Sequence, residues 1–269
     1  MRWMSFALAL VLTACTRPAP RAAEAGALVR SGNERLRAAL EAAAIPDALA
    51  AAVLRAEDAF LPELLAILAE RDGYQRLLVD KQHPLEPQQY VPPDLVELTN
   101  EGAFRIGRQG LLLRLPAAEA LQEMAEEALK DGIVLVASST YRSYEYQLEV
   151  YARNVRENGR DQADRESSRA GYSQHQTGLA VDFGSITDAY AGTPAGRWLS
   201  ANAGRFGWSL SFPDGYEELT GYRWECWHYR YVGKPLARFI DAWFAGVQQY
   251  GLRFVYEWEG LSDGLEARP

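Results

Sequence analysis

A short apolar run between two amphipathic helices constrains the fold of this chain more than any other feature. Residues 133–140 are IVLVASST, an apolar and β-branched sequence that is typical of a buried strand. The sequence at 115–132 has helical periodicity and ends in glycine. The sequence at 143–159 predicts a second amphipathic helix with Ser143 as its N-cap. A buried strand between helices favours an α+β fold.

Further elements follow along the chain. LAVDF at 179–183 predicts another strand, and we expect a helix around 194–202. Strands are expected near 207–210 and 227–232, and KPLARFIDAWFAGVQQYG at 234–251 predicts a closing helix.

The segment from Asn33 to about Arg71 is rich in alanine and leucine, with apolar residues at helical spacing. We expect Pro46 and Pro62 to divide it into two or three short helices. It contains no set of metal ligands or catalytic groups. It therefore predicts a packing or spacer role, with a partner-docking module as the alternative.

The first residues predict export. Residues 3–12 are mostly apolar, but this run is too short to span a bilayer. LTAC resembles a bacterial lipobox, so cleavage before Cys15 and lipidation of its thiol would tether the protein to a membrane. The alternative is an ordinary secretory signal in which Cys15 has no role. The Ala/Pro/Arg-rich sequence that follows predicts a flexible spacer.

Composition limits the remaining function classes. The net charge is −8 and no basic run occurs, which argues against a nucleic-acid partner. Cys226 is the second of only two cysteines, so we expect no disulfide framework.

Two of the three histidines lie in sequences that suggest chemistry. In SQHQTGLAVDF, alternation along the predicted strand turns Asp182 away from its apolar neighbours Val181 and Phe183. His175 precedes Gly178, where the chain can bend and direct the imidazole toward Asp182. Histidine and carboxylate ligands suit zinc.

The second sequence is YRWECWHYRYVG, in which Glu225 lies three residues before His228. In a helix the two would share a face, whereas in a strand they would lie on opposite faces. The run from Trp227 to Val232 favours a strand, so Glu225 is expected in the loop before it. Three protein ligands with an open fourth position are typical of catalytic zinc, and a nearby carboxylate can act as general base. Spacing alone leaves open whether these histidines are structural.

Four motifs decide between a zinc site and structural histidines. S-x-H-x-x-G-x-A-x-D at 173–182 and E-x-W-H-Y-R-Y-V-G at 225–233 resemble the VanY-type zinc D-alanyl-D-alanine carboxypeptidases. They are also similar to the related D,D-dipeptidases and peptidoglycan L-Ala-D-Glu endopeptidases. The motifs at 81–96 and 139–147 resemble that family in the same order, and the resemblance covers about 79–249.

The resemblance implies a role for each matching residue. It implies that zinc is bound by His175, Asp182 and His228. It also implies that Glu225 is the catalytic base and that Arg142 binds the substrate, since a guanidinium can clamp a carboxylate with two hydrogen bonds.

Several other residues match less specifically. Ser173 and Gln147 match family positions near the substrate, with a turn residue and a helix-surface residue as their alternatives. His83 is expected to fix its loop rather than bind metal. Cys226 stands where this family is expected to have proline. On a strand it would share a face with His228 and approach the metal, and the alternative is a small buried residue.

Together these observations predict an α+β fold. A small, mostly antiparallel sheet flanked by helices would surround a zinc site, preceded by a short helical N-terminal segment. The expected divisions are a lipoprotein signal peptide (1–14), a flexible linker (15–32), a helical segment (33–76), a zinc peptidase domain (77–258) and a C-terminal tail (259–269).

The predicted function is a zinc-dependent carboxypeptidase that removes the C-terminal D-alanine from peptidoglycan stem peptides. We expect a monomer, held by its lipid anchor in the bacterial cell envelope and facing the periplasm or the cell exterior. The alternatives are a D,D-dipeptidase, an L,D-carboxypeptidase or an endopeptidase on the same scaffold, or a non-catalytic peptidoglycan-binding protein anchored in the envelope.

Overall fold

The computed structural model describes residues 33–70 and 73–266, with side chains described as far as residue 261. The predicted signal peptide and Cys15 lie outside these residues. Within the described part of the chain, no helix has the length and apolarity needed to cross a bilayer.

A five-stranded sheet forms the centre of the protein. Its strands are β2 (Arg105–Ile106), β4 (Val136–Ser139), β5 (Ala180–Phe183), β6 (Trp208–Leu210) and β7 (His228–Tyr231), and β1 (Leu95–Glu97) pairs separately with β3 (Leu112–Arg114). The strand order in the sheet is β2–β4–β5–β7–β6. The β2–β4 pair is parallel and the other three pairs are antiparallel, which confirms the predicted mostly antiparallel sheet.

The alternation predicted for β5 is present in the structure. Val181 and Phe183 are fully buried in the main apolar core, and Asp182 faces the other side of the sheet. Strand β4 is shorter than the predicted run 133–140, because only the second half of that run pairs with β5.

Helices cover the apolar side of this sheet. Leu121 and Met124 of one helix (α4, Leu115–Lys130) and Leu199 of another (α7, Pro194–Asn202) pack into the same core as β5. Burial of this core is the main stabilising contribution to the sheet. The helices in this part of the chain are α4 (Leu115–Lys130), α5 (Tyr144–Asn158), α6 (Arg160–Glu166), α7 (Pro194–Asn202) and α8 (Glu217–Thr220).

The N-terminal helices form a second core with the C-terminal helices. They are α1 (33–42), α2 (Asp47–Arg55) and α3 (Glu57–Leu68). Phe60 of α3 is fully buried and contacts Phe239 and Phe254, with ring centroids 4.9 and 5.2 Å away. Pro62 lies inside α3 and does not end it, and the break falls at Ala56 instead. The segment therefore packs on the C-terminal helices.

The predicted closing helix 234–251 is wrong as a single helix, because the chain breaks it into α9 (Lys234–Trp243) and α10 (Gln248–Glu266). Ala245 and Gly246 both have positive φ, of 53° and 74°, which no α-helix accommodates. Helix α10 continues through position 259, where the sequence predicted a tail.

Candidate active site

Two of the predicted metal ligands are cross-strand partners. Asp182 on β5 lies directly opposite His228 on β7, and Ser139 on β4 lies opposite Asp182 on its other side. Partners in adjacent strands have their side chains on the same face of the sheet. Strand pairing thus brings Asp182 and His228 together from positions 46 residues apart in the sequence.

His175 reaches the same point from a tight turn. It lies in the 3₁₀ turn Gln174–Thr177, whose start is capped by the Ser173 hydroxyl accepting a hydrogen bond from the His175 amide. Gly178 ends the turn with φ of 70°, and a Cβ there would lie 2.9 Å from side-chain atoms of Leu95 and Arg114. Only glycine fits this bend, which directs the imidazole back toward Asp182.

The three side chains form one compact, buried group. Nε2 of His175 lies 3.2 Å from Oδ2 of Asp182, and Nδ1 of His228 lies 3.1 Å from Oδ1. One ligand atom from each residue lies within 4.8 Å of the others. The residues are at most 5% exposed, so bulk water does not screen their interaction.

Hydrogen bonds fix which nitrogen of each ring faces the group. Nδ1 of His175 lies 2.7 Å from the carbonyl oxygen of Thr140 and must donate to it, which leaves Nε2 with a lone pair. Burial, followed by the charge of Arg142, lowers the pKa of His175 to about 4, so the ring is neutral at ordinary pH. Nε2 of His228 lies 3.3 Å from Oε1 of Gln174 and donates to it, which leaves Nδ1 with a lone pair.

The donor set fits a divalent cation. Oδ1 of Asp182 is buried and takes part in no hydrogen bond, although His228 Nδ1 is close. Lone pairs of two imidazoles and one carboxylate therefore face each other with no proton between them, an arrangement that a positive ion would stabilise. Two histidines and a carboxylate with outer hydrogen bonds on both rings are a typical zinc ligand set.

Glu225 lies beside this group on the loop that precedes β7, as predicted. Its Oε2 is 3.5 Å from Nδ1 of His228, and the residue is 7% exposed. Burial, reinforced by the negative charge of Asp182, raises the pKa of Glu225 well above its usual value. Its carboxyl group therefore has a strong tendency to hold a proton, as a proton-transferring group requires.

Arg142 also contacts the metal-ligand group. Its Nη2 donates to Oδ2 of Asp182 at 2.9 Å, and its Nε and Nη2 both contact the Ser139 hydroxyl. Gln147 is fully buried on α5, where its Oε1 lies 3.4 Å from Arg142 Nη1 and its Nε2 donates to the Ser168 carbonyl at 2.7 Å. Gln147 is thus not a helix-surface residue and supports the guanidinium from below.

A cavity of about 230 Å³ opens over these groups. Its wall includes Arg142, Ser173 and Glu225, together with the aromatic rings of Phe212 and Trp227. Charged groups that face an enclosed space with aromatic walls are typical of a site for a small polar ligand.

Cys226 does not approach the metal ligands, contrary to the strand geometry considered above. Strand β7 begins only at His228, so Cys226 lies in the preceding turn. Its Sγ faces the carbonyl oxygens of Thr187 and Asp188 at 3.7 and 3.8 Å, and the residue belongs to the main apolar core. The structure supports a small buried residue at this position.

Three further groups take part that the sequence analysis did not identify: Ser139, the Thr140 carbonyl and Gln174. Ser139 and Thr140 end the predicted strand 133–140, where the chain leaves a sheet and side chains often face a site. Gln174 stands next to His175 in the quoted motif, but no sequence rule indicates that it turns toward His228. His83 donates to Asp80 within its own loop, consistent with a structural role.

Comparison with known proteins identifies the family of this chain. The family model "VanY: D-alanyl-D-alanine carboxypeptidase" matches residues 110–234. A solved structure of the LdcB LD-carboxypeptidase is 34% identical, with a TM-score of 0.55, over 63% of this chain and 85% of that one. The chain belongs to the VanY family.

A second solved VanY-family protein is described as the vancomycin resistance D,D-pentapeptidase VanY, in a Glu-to-Ala variant and in complex with Zn(II). It is 30% identical over 66% of this chain and 98% of that one, with a TM-score of 0.55. The putative carboxypeptidase YodJ of Bacillus subtilis is 38% identical over 170 residues, which are 61% of this chain and 62% of that protein. The match thus spans about three-fifths of the length of this relative.

The raised pKa of Glu225 makes a prediction for the metal-free protein. Glu225 keeps its proton when folded at pH values where the unfolded chain has lost it. The carboxyl group therefore stabilises the fold below its unfolded pKa, near 4.5, and this contribution is lost as pH rises through the folded pKa. We expect the free energy of unfolding of Glu225→Gln, relative to wild type, to increase between about pH 5 and about pH 8 in urea titrations.

The matched control is Glu217→Gln. Its hydrogen bond from Arg165 lowers the pKa of Glu217, so the wild-type carboxylate stabilises the fold above its unfolded pKa. Over the same window of about pH 5 to 8, the stability of this variant relative to wild type should stay constant, because the contribution of Glu217 changes only below its unfolded pKa, near 4.5. Parallel pH profiles for wild type and Glu225→Gln would contradict the buried, proton-holding carboxyl.

Proposed function

We propose that this protein is a zinc-dependent D,D-carboxypeptidase that removes the C-terminal D-alanine from peptidoglycan stem peptides. The observation that carries the proposal is the position of Glu225. A buried carboxyl with a raised pKa lies 3.5 Å from a ligand nitrogen of a His–Asp–His group, in the wall of the same cavity as Arg142.

His175, Asp182 and His228 would hold the zinc ion. Bound there, zinc supplies Lewis acidity that polarises a peptide carbonyl and lowers the pKa of water. Thr140 and Gln174 keep the ligand nitrogens unprotonated, and Arg142 fixes the plane of the Asp182 carboxylate.

Glu225 would carry out the proton transfer. Its side chain lies in the cavity wall, where it can accept a proton from the attacking water and return it to the departing amine. The pKa raised by burial suits both steps, because the group must gain and lose a proton within one turnover.

Arg142 would bind the terminal carboxylate of the substrate. Its guanidinium is held by Ser139 and Asp182 on one edge, while its Nη1 makes only a long contact with Gln147. A fixed guanidinium with spare donor capacity at a cavity wall can bind a carboxylate at low entropic cost. Ser173, in the same wall, would add a hydroxyl contact.

The second candidate is an L,D-carboxypeptidase, which would also cleave the C-terminal peptide bond but would remove a D-alanine that follows an L-residue. It is favoured by the 34% identical LdcB structure. A non-catalytic peptidoglycan-binding protein accounts poorly for Glu225, since a buried carboxyl with a raised pKa destabilises the fold near neutral pH without contributing to binding.

We further propose that the protein acts in the bacterial cell envelope, anchored through Cys15, and that residues 33–76 form part of the same folded body as the peptidase domain. The LTAC sequence supports the anchor. In a bacterial host, Cys15→Ser should move the protein from the membrane fraction to the soluble fraction. If the variant stays with the membranes, another segment is the anchor.

The test of the activity uses zinc-loaded protein with a stem pentapeptide, a stem tetrapeptide and free D-Ala-D-Ala. We expect release of one D-alanine from the pentapeptide, identified by mass. Glu225→Ala should lower kcat by about 10²–10⁴-fold, the usual contribution of a general base, while still binding one zinc.

The control is Glu217→Gln, an exposed residue that should leave kcat unchanged. Cleavage of the tetrapeptide alone would indicate the L,D-enzyme. If no substrate is cleaved, or if Glu225→Ala retains full activity, the proposed function is wrong.

A further inference from the structure

A chain of buried amides leads from strand β6 to the His228 ring. Nε2 of Gln248 donates to the carbonyl oxygen of Ser209 at 3.1 Å, and Nε2 of Gln174 donates to Oε1 of Gln248 at 3.3 Å. Oε1 of Gln174 in turn lies 3.3 Å from Nε2 of His228. The two glutamines are 1% and 4% exposed, so water does not compete for these bonds.

The Ser209 carbonyl fixes the polarity of the whole chain, because a carbonyl oxygen can only accept. The amide nitrogen of Gln248 must therefore face Ser209, and its oxygen must face Gln174. Gln174 must then present its nitrogen to Gln248 and its oxygen to His228. A flip of either amide would set two acceptors or two donors against each other.

Ser211 is compatible with this orientation. Its hydroxyl donates to Oε1 of Gln174 at 2.7 Å. Oε1 of Gln174 consequently requires a proton on Nε2 of His228, and Nδ1 keeps its lone pair toward the metal site.

A competing acceptor makes this control necessary. Oδ1 of Asp182 lies 3.1 Å from Nδ1 of His228 and accepts no hydrogen bond. Without the amide chain, a proton on Nδ1 could bond to that oxygen and block the ligand atom. His175 does not have this weakness, because the Thr140 backbone fixes its tautomer directly.

We infer that Gln248 is a positioning residue for the metal site, acting through Gln174 to hold His228 as the Nε2–H tautomer. Gln248 is the first residue of α10 and lies beyond the family match, which ends at 234. Helix α10 is itself held by the second core, where Phe254 packs on Phe60 of α3. The inference rests on the metal site of the proposed function.

The first test reads the tautomer in metal-free protein. The chain has three histidines, so protein labelled with ¹⁵N-histidine gives only three imidazoles in long-range ¹H–¹⁵N spectra. At about pH 8, above the ordinary histidine pKa, wild type should show His228 as the Nε2–H tautomer. Gln248→Met, which keeps the length but removes both hydrogen bonds, should shift His228 toward Nδ1–H, with His175 unchanged.

The second test measures zinc affinity by chelator competition. Loss of an outer hydrogen-bond partner typically weakens metal binding about 10–100-fold, so we expect that range for Gln174→Met and about 10-fold for Gln248→Met. The control is Gln249→Met. Gln249 is also buried on α10, but its amide donates to Asp80 at 2.6 Å, away from the site. Its zinc dissociation constant should stay within about twofold of wild type.

Each outcome separates the inference from the proposed function. If wild type binds no zinc, the proposed function fails, while the tautomer test still decides the inference. An Nδ1–H tautomer of His228 in metal-free wild type overturns the inference, even if no variant folds. So does equal loss of affinity in Gln248→Met and Gln249→Met, which would show that α10 acts only through stability.

Discussion

The structure depends on one electrostatic constraint: unshared electron pairs of two imidazoles and a carboxylate meet at a buried point. Nε2 of His175 lies 3.2 Å from Asp182 and Nδ1 of His228 lies 3.1 Å from it. Each ring carries its proton on the other nitrogen, so both of these nitrogens present a lone pair to the carboxylate. Such a cluster destabilises a folded chain unless a cation occupies it. The hydrogen bonds that surround it, which the two imidazoles donate to Thr140 and Gln174, therefore belong to metal binding rather than to packing.

The fold supplies this arrangement through rigid elements. Pairing of β5 with β7 places Asp182 against His228, and the left-handed turn at Gly178 returns His175 to the same place. The surrounding groups shift the pKa values of Asp182 and Glu225 in opposite directions. Burial raises the pKa of Asp182, but its contacts with His175 and His228 outweigh this effect and hold the pKa well below its usual value. Arg142 donates a hydrogen bond to Oδ2 of the same carboxylate. For Glu225, burial and the negative charge of Asp182 outweigh the nearby positive charges and raise the pKa.

Much of the site could be predicted because local rules place its residues. Alternation along LAVDF is enough to separate Asp182 from the core, and the aromatic, β-branched run from Trp227 to Val232 is enough to put Glu225 in a loop. The rest depends on tertiary contacts. The orientation of Cys226 follows from where β7 begins, and the break between α9 and α10 follows from positive φ at Ala245, a residue with no sequence preference for it. Which nitrogen of His228 is protonated depends on Gln248, 20 residues away, and no periodicity encodes that contact.

X-ray absorption at the zinc edge tests the central claim most directly, on full-length protein loaded with one equivalent of zinc. The account predicts two imidazole nitrogens and a carboxylate oxygen at about 2.0–2.2 Å, with the remaining position filled by a light atom. A sulfur ligand at about 2.3 Å, or a spectrum with fewer than two imidazoles, would contradict it.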